Sequence, residues 1–323
     1  MHGFRFDEAG PPDVLKWQKL ELADPDPGEV QIKHLTCGVN YIDTYHRSGL
    51  YPLPLPSGIG LEACGTVVTL GDDVTSLKVG DRVAYGTGPI GAYSEAANVA
   101  ADRVIKVPDS ISNEVAAAMM LKGMTAQYLL RQTYDVKAGD TILVHAAAGG
   151  VGLILCQWAN HLGATIIGTV GSEEKAALAK AHGCHHTILY RTEDVAAKVR
   201  DMTNGSGVPV VYDSVGKDTF EGSIDSLRPR GLMVSFGNAS GPVPPVDPGI
   251  LSAKGSLYLT RPTLFHYTAT PDDLAKTAGD VVDVISKGIV KIDIHQRYAL
   301  KDARQAHKDL EARKTTGATV LIP

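Results

Sequence analysis

The segment Ile142 to Gly152, ILVHAAAGGVG, constrains this chain more than any other stretch of its 323 residues. An apolar run leads into Ala146-x-x-Gly149-x-x-Gly152, and a helical pattern begins at once. A turn that tight, placed so that bare backbone amides reach a diphosphate, has no room for a Cβ, and the helix N-terminus behind it adds partial positive charge. Ala146 stands where the usual fingerprint has its first glycine, but the strand before and the helix after predict the same geometry. From Asp140 onward strands and helices alternate. Thr141 to Ala146, Thr165 to Val170, Thr187 to Tyr190, Val208 to Asp213, Gly231 to Phe236 and Ser256 to Thr260 are the expected strands. Most are apolar throughout, as strands covered on both faces must be. Val151 to Leu162 and Glu173 to His182 are the helices between the first three, each followed by a glycine. The alternation predicts an α/β fold with a parallel, doubly wound Rossmann sheet.

The chain ahead of this segment has another rhythm. Short β-like runs at Glu29 to Leu35, Ala63 to Leu70, Arg82 to Tyr85 and Val104 to Val107 are punctuated by glycine and proline, predicting a mostly antiparallel β domain. YPLPLPSGIG, 51 to 60, is a loop, because proline removes donors and biases its neighbours to extended shapes. After Arg261 come a helix at Pro271 to Lys287, a short strand near Lys291 to Ile294 and a last helix at Lys301 to Arg313. These are too few for a third domain, and the tail is expected to pack back onto the first. The length exceeds the ~250 to 300 residues at which one core stops growing. Two domains are therefore expected, one from 1–121 with 262–323 and one from 122–261.

Charge excludes some partners. Lys and Arg number 31 against 36 Asp and Glu, interspersed along the chain, so no basic stripe is available for nucleic acid. No stretch approaches the ~20 apolar residues of a membrane span, and the N-terminus lacks an apolar leader core, which points to a cytoplasmic protein. Cys37, Cys64, Cys156 and Cys184 are far apart and are expected as reduced thiols.

The second strand indicates which dinucleotide is bound. Sites for NAD place an acid ~20 residues after the glycine turn, on the ribose 2′-hydroxyl. Here the strand ends Val170-Gly171-Ser172 with no carboxylate, and Lys175 offers an ammonium to a 2′-phosphate. Glu173 and Glu174 suit the first turn of a helix, whereas a lysine there is disfavoured and invites another reason. The alternatives are that Lys175 faces solvent or that one of the glutamates grips a ribose hydroxyl. The first reading predicts NADPH over NADH; Tyr190, ending the third strand, and Arg191 either flank the phosphate or are ordinary strand-end residues.

Longer motifs carry a resemblance to a family. With GVNYIDTYHRSGLY at 38–51, LPSGIGLEACGTV at 55–67, LKGMTAQYLLR at 121–131, HAAAGGVG at 145–152, VYDSVG at 211–216 and GLMVSFGNASG at 231–241, the chain resembles the zinc-independent quinone oxidoreductases of the medium-chain dehydrogenase/reductase superfamily, the zeta-crystallin-like group. The resemblance implies a GroES-like catalytic domain split around the Rossmann domain, NADPH as cofactor, a small quinone as substrate, and a homodimer. It places Asn40, Tyr41, Ile42, Asp43, Thr44 and Tyr45 near the nicotinamide, with Tyr128. Gly150 and Val151 join Gly149 and Gly152 at the pyrophosphate, and Gly171, Ser172, Lys175 and Tyr190 surround the adenosine phosphate. Ser214, Phe236, Gly237, Asn238, Ala239, Pro262, Thr263, Leu264 and Arg313 are the remaining implied cofactor contacts.

The zinc-dependent relatives have a Cys where this chain has Asn40 and a His where Leu61 precedes Glu62, so no metal is expected. Without a Lewis acid to polarise an alcohol, such a site suits an acceptor that needs little activation, and a quinone spreads the incoming charge over its ring. Asn40, Asp43, Tyr45 and Tyr51 are the candidate catalytic residues, the tyrosines for substrate contact or proton relay and Asn40 as a polar anchor. Two alternatives remain: reduction of an alkenal or enone double bond, and a non-catalytic NADPH-binding protein with a structural or RNA-binding role.

Overall fold

Six apolar runs pair into one parallel sheet, in the order His186–Leu189, Thr165–Val170, Thr141–Val144, Val208–Asp213, Leu227–Ser235, Tyr258–Thr260. Counted along the chain this is the doubly wound order 3-2-1-4-5-6, which reverses between the first and fourth strands and opens a crevice at their carboxyl ends. Leu143, Ile167, Ile188, Val199, Val211, Ile224 and Met233 form the core of this sheet and its helices. Each such side chain contributes about 1.5–3 kcal/mol when fully buried. Several strand ends differ from expectation by one to four residues: the third strand is His186–Leu189 rather than 187–190, and the sixth starts at Tyr258 rather than at 256. The first strand stops at Val144 because Ala146 already turns into the left-handed region at φ 52°. The fifth begins at Leu227, four residues early, where exposed Arg228, Pro229 and Arg230 interrupt the apolar run that marks a buried strand.

The computed structural model describes all 323 residues. The chain divides into two compact units, Thr125–Tyr267 with Gly288–Lys291, which carries the parallel sheet, and Met1–Met124 with Thr268–Lys287 and Ile292–Pro323.

The second of these is built on a sheet ordered Ile294–Ala299, Ala318–Ile322, Glu29–Val39, Ala63–Leu70, Arg82–Tyr85, Ile105–Lys106, with Ala96–Ala100 also on Glu29–Val39. All pairs are antiparallel except Ile294–Ala299 with Ala318–Ile322. The strand expected at 291–294 lies instead at Ile294–Ala299, and Ala318–Ile322, not anticipated, is paired on both edges. The helix expected from Lys301 begins at Ala303 after a 3-10 turn and ends at Glu311. The proline-rich stretch 51–60 is a loop. Asn113–Tyr128 is a buried helix that runs into a single π-helical turn, Leu129–Thr133. No helix is long and apolar enough to cross a membrane.

Candidate functional site

Helix Gly150–His161 leaves the first strand through Ala146–Gly149, and its N-cap, Gly149, has no side chain to satisfy the first amides. Uncapped amides at a helix N-terminus, set at the reversal of strand order, favour an anionic group by geometry and charge. Gly152 makes the turn feasible: a methyl there would sit 2.3 Å from the Ala146 carbonyl oxygen and 2.8 Å from Ala147 backbone carbon.

At the tip of the second strand, Ser172 caps helix Glu173–Ala181 through the amide of Lys175. The Tyr190 hydroxyl lies over Gly171, close enough that a Cβ there would come within 3.1 Å. Gly171, Ser172 and Tyr190 are thus gathered, with half-buried Lys175 on the adjoining first turn and Arg191 exposed. The loops after the fourth and fifth strands are zipped together. The Phe236 amide donates to the Asp213 carbonyl, the Ala239 amide to the Ser214 carbonyl, and a Cβ on Gly237 would strike the Ser214 carbonyl at 2.4 Å. Asn238 is half-buried beside them. Pro262 and Leu264 are buried, and Thr263 accepts from the amide of His266 at the start of a short helix. Tyr128 stacks flat on Tyr267, ring centres 4.4 Å apart, and Thr133 donates to the Tyr267 hydroxyl.

In the other unit, strand Glu29–Val39 delivers Asn40 as the N-cap of helix Tyr41–Ser48. The Asn40 amide donates to Asp43 Oδ2 at 2.8 Å, and its side-chain Nδ2 donates to Glu62 Oε2 at 2.7 Å. Glu62 Oε1 accepts from the Leu121 amide, and Lys122 Nζ, which donates to the Val39 carbonyl, stands 3.6 Å from Glu62 Oε2. All four side chains are buried. Burial pushes Asp43 up to about 7 and Glu62 above the usual carboxylate range, against the pull of the Lys122 ammonium.

Asp43 Oδ2 also accepts from the Tyr93 hydroxyl at 2.8 Å, while Oδ1 has no partner. Behind Tyr93 stands His307, and behind that Arg47, which forks onto Glu311 with bonds of 2.6 and 3.1 Å. A guanidinium only donates, so His307 Nδ1 must accept and Nε2–H must donate to Tyr93; the tautomer follows from the network. Burial drives His307 down to about 3, with the Arg47 charge acting in the same direction, so its ring is neutral.

An aromatic group lies along the same helix. Tyr41 and Tyr45 are 5.4 Å apart, Tyr45 and Tyr51 meet edge-on at 5.0 Å, and His46 packs on Tyr51 at 6.3 Å. Burial raises Tyr41 above the usual phenol range, opposed by the guanidinium of Arg313, which is itself exposed and left-handed at φ 59°. Ile42 is half-buried, and the Thr44 hydroxyl donates back to the Tyr41 carbonyl.

The structure therefore gathers Asn40 with Asp43, and Tyr41 with Tyr45, Tyr51 and Arg313. Sequence reasoning missed Glu62, Lys122, Tyr93, His307, Arg47, His46 and Tyr267. A signal existed for the first two: a lone charge inside GLEACG or LKGMT, among small and apolar residues, marks a buried ion that needs a partner. The four cysteines are free and buried, and burial pushes Cys64 up to about 12.

Two family models match: residues 26–109 fit an alcohol dehydrogenase GroES-like domain, and 150–281 a zinc-binding dehydrogenase. Despite that second description, no group of three His, Cys, Asp or Glu side chains is placed to hold a metal ion. A quinone oxidoreductase of Pseudomonas aeruginosa is 56% identical over 99% of this chain and 98% of its own. A Burkholderia 2-haloacrylate reductase is 45% identical over 97% and 96%. The crystal structure of Escherichia coli quinone oxidoreductase complexed with NADPH superposes with a TM-score of 0.98 at 49% identity, covering 100% of both chains. With the doubly wound unit, the GroES-like unit and this end-to-end likeness together, the chain belongs to the quinone oxidoreductases of the medium-chain dehydrogenase/reductase superfamily.

Proposed function

We propose that this protein is an NADPH:quinone oxidoreductase that acts without zinc. The observation that carries the reading is the uncapped amide turn at Gly149–Gly152, set where the strand order reverses, in a chain whose near relatives are quinone oxidoreductases. NADPH, when bound, supplies the hydride. Gly149, Gly150, Val151 and Gly152 hold its diphosphate, and Gly171, Ser172, Lys175 and Tyr190 its 2′-phosphate. Ser214, Phe236, Gly237, Asn238, Ala239, Pro262, Thr263 and Leu264 fix the loops around the rest, joined by Tyr41, Ile42, Thr44, Tyr128 and Arg313. Tyr45 and Tyr51 offer apolar faces and phenol protons to a planar quinone. Asn40 has a second Nδ2–H beyond the one given to Glu62, and it serves as a polar anchor. Asp43, fully buried, acts through the helix start that it caps.

Purified enzyme should oxidise NADPH with 1,4-benzoquinone at a kcat/KM at least about tenfold above that with a short enone. The reverse preference would install the second reading, activated-alkene reduction, which the 2-haloacrylate reductase likeness favours. Lys175→Ala should lower the ratio of kcat/KM for NADPH over NADH by roughly 10- to 100-fold, the worth of one charge-assisted phosphate contact. An unchanged ratio would remove Lys175 from the site.

We also infer a homodimer in the cytoplasm. Tyr258–Thr260 pairs on one edge only and exposes Tyr258 and Leu259, which a second copy would cover. Sedimentation as a 34.2 kDa particle would refute the dimer.

A further inference from the structure

A buried polar chain ties together the three loops of the nucleotide unit at the carboxyl ends of its first, second and fourth strands. His145 follows the first strand, Thr169 sits near the end of the second, Asp213 ends the fourth, and Ser223 lies on helix Phe220–Ser226. All four are 0–2% exposed. Ser223 Oγ is 2.8 Å from Asp213 Oδ2 and 2.9 Å from His145 Nε2, and His145 Nδ1 is 2.9 Å from Thr169 Oγ1. Asp213 further accepts from the amides of Val215 and Gly216 and from the Thr219 hydroxyl.

Serine, histidine and aspartate in contact invite a hydrolytic reading, which the directions of these bonds exclude. In a nucleophilic triad the aspartate holds the histidine and the histidine takes the serine proton. Here the one Ser223 proton goes to the carboxylate, so Ser223 must accept from His145 Nε2–H. His145 Nδ1 is then left to accept from Thr169. Burial lowers the His145 pKa, with Asp213 opposing, which keeps this neutral tautomer in place. The ring is a fixed spacer with an acceptor on one side and a donor on the other.

We propose that His145 is a positioning residue for the dinucleotide, with two separable arms. The inference rests on the NADPH reading above. The Thr169 arm fixes the tip of the second strand, which carries Gly171, Ser172 and the turn of Lys175, relative to the glycine turn. The Ser223–Asp213 arm fixes the Ser214–Gly216 loop, which serves any pyridine dinucleotide. Cutting the first arm should disturb recognition of the 2′-phosphate alone, and cutting the second should weaken NADPH and NADH alike.

Fluorescence titration of the full-length enzyme with NADPH and with NADH tests this in wild type, Thr169→Val, Ser223→Ala and His145→Gln. Thr169→Val keeps shape and removes the donor, so the NADPH Kd should rise about tenfold while the NADH Kd stays within about twofold. His145→Gln can bring its Nε2–H to Ser223 but has no ring nitrogen at the Nδ1 position that faces Thr169, and it should show the same selective loss even if Thr169→Val does not fold. Ser223→Ala should raise both Kd values by a similar factor. A merely structural role predicts equal losses for both nucleotides in every variant. Equal or absent effects in Thr169→Val and His145→Gln would overturn the proposal while leaving the NADPH reading intact. A wild type that binds neither nucleotide would remove both.

Discussion

Gly152→Ala should raise the NADPH Kd by about a hundredfold or more, well beyond any single polar substitution around the phosphates. The added methyl would lie 2.3 Å from the Ala146 carbonyl oxygen and 2.8 Å from two backbone carbons of Ala147. None of these atoms can rotate aside, so helix Gly150–His161 would have to retreat by roughly 1 Å, a displacement that can cost on the order of a hundredfold in a site built on positioned groups. The retreat would carry the amides of Gly150 and Val151 away from the place proposed for the diphosphate. Ala146 offers no compensation, since at φ 52° it already occupies a conformation that alanine tolerates poorly. Overpacking of this kind should also cost about 1–3 kcal/mol of stability. Gly149→Ala is the matched control, because its Cβ would meet only the Ala146 oxygen, at 3.1 Å, and small adjustments relieve that. Titration and thermal melts of the two variants should rank Gly152→Ala far worse on both counts. A Gly152→Ala enzyme that bound NADPH within threefold of wild type would show that the turn does not hold the diphosphate.

The contrast between this turn and the polar cluster at Asp43 explains what the sequence could reveal. The turn was legible because its requirement is local: a strand, three small residues at fixed spacing and a helix lie in one continuous segment. The parallel strands were legible for the same reason, since burial on both faces makes runs such as Thr165–Val170 and Val208–Asp213 apolar throughout. Ala96–Ala100, with two alanines and an asparagine ahead of its valine, carries little β signal and forms because Glu29–Val39 offers it an edge. Ala318–Ile322 is apolar but short, and its place between two strands is set by tertiary pairing alone. The Asp43 network brings together residues 40, 43, 47, 62, 93, 122, 307 and 311, a convergence that no spacing rule encodes. His307 and Arg47 look like ordinary members of amphipathic helices until folding puts them behind Tyr93.

The same network makes stability depend on pH in a direction opposite to that of most carboxylates. Asp43 rises from its ordinary 3.8 to about 7, first because burial penalises its charge and also through the nearby Glu62, with the Asn40 amide, the Tyr93 hydroxyl and the Lys122 charge pulling the other way. Between pH 4 and 7 the folded state therefore holds a proton that the unfolded chain has released. Stability from this group is full below pH 4, falls as pH rises toward 7 and is gone above it. A shift of this size corresponds to roughly 4 kcal/mol across that window. Asp43→Asn keeps an oxygen for the Asn40 amide and the Tyr93 hydroxyl but carries no charge to bury. Its stability relative to wild type should climb by about 2–4 kcal/mol from pH 4.5 to pH 8, measured by denaturant titration at each pH. Ordinary surface acids cancel in that difference, because both proteins share them. A difference that stayed flat across the range would mean that Asp43 is already charged in the folded protein near pH 5, with Lys122 and the helix N-terminus outweighing burial. Asp43 would then cap the helix as a permanent anion and would itself hold no exchangeable proton near neutral pH.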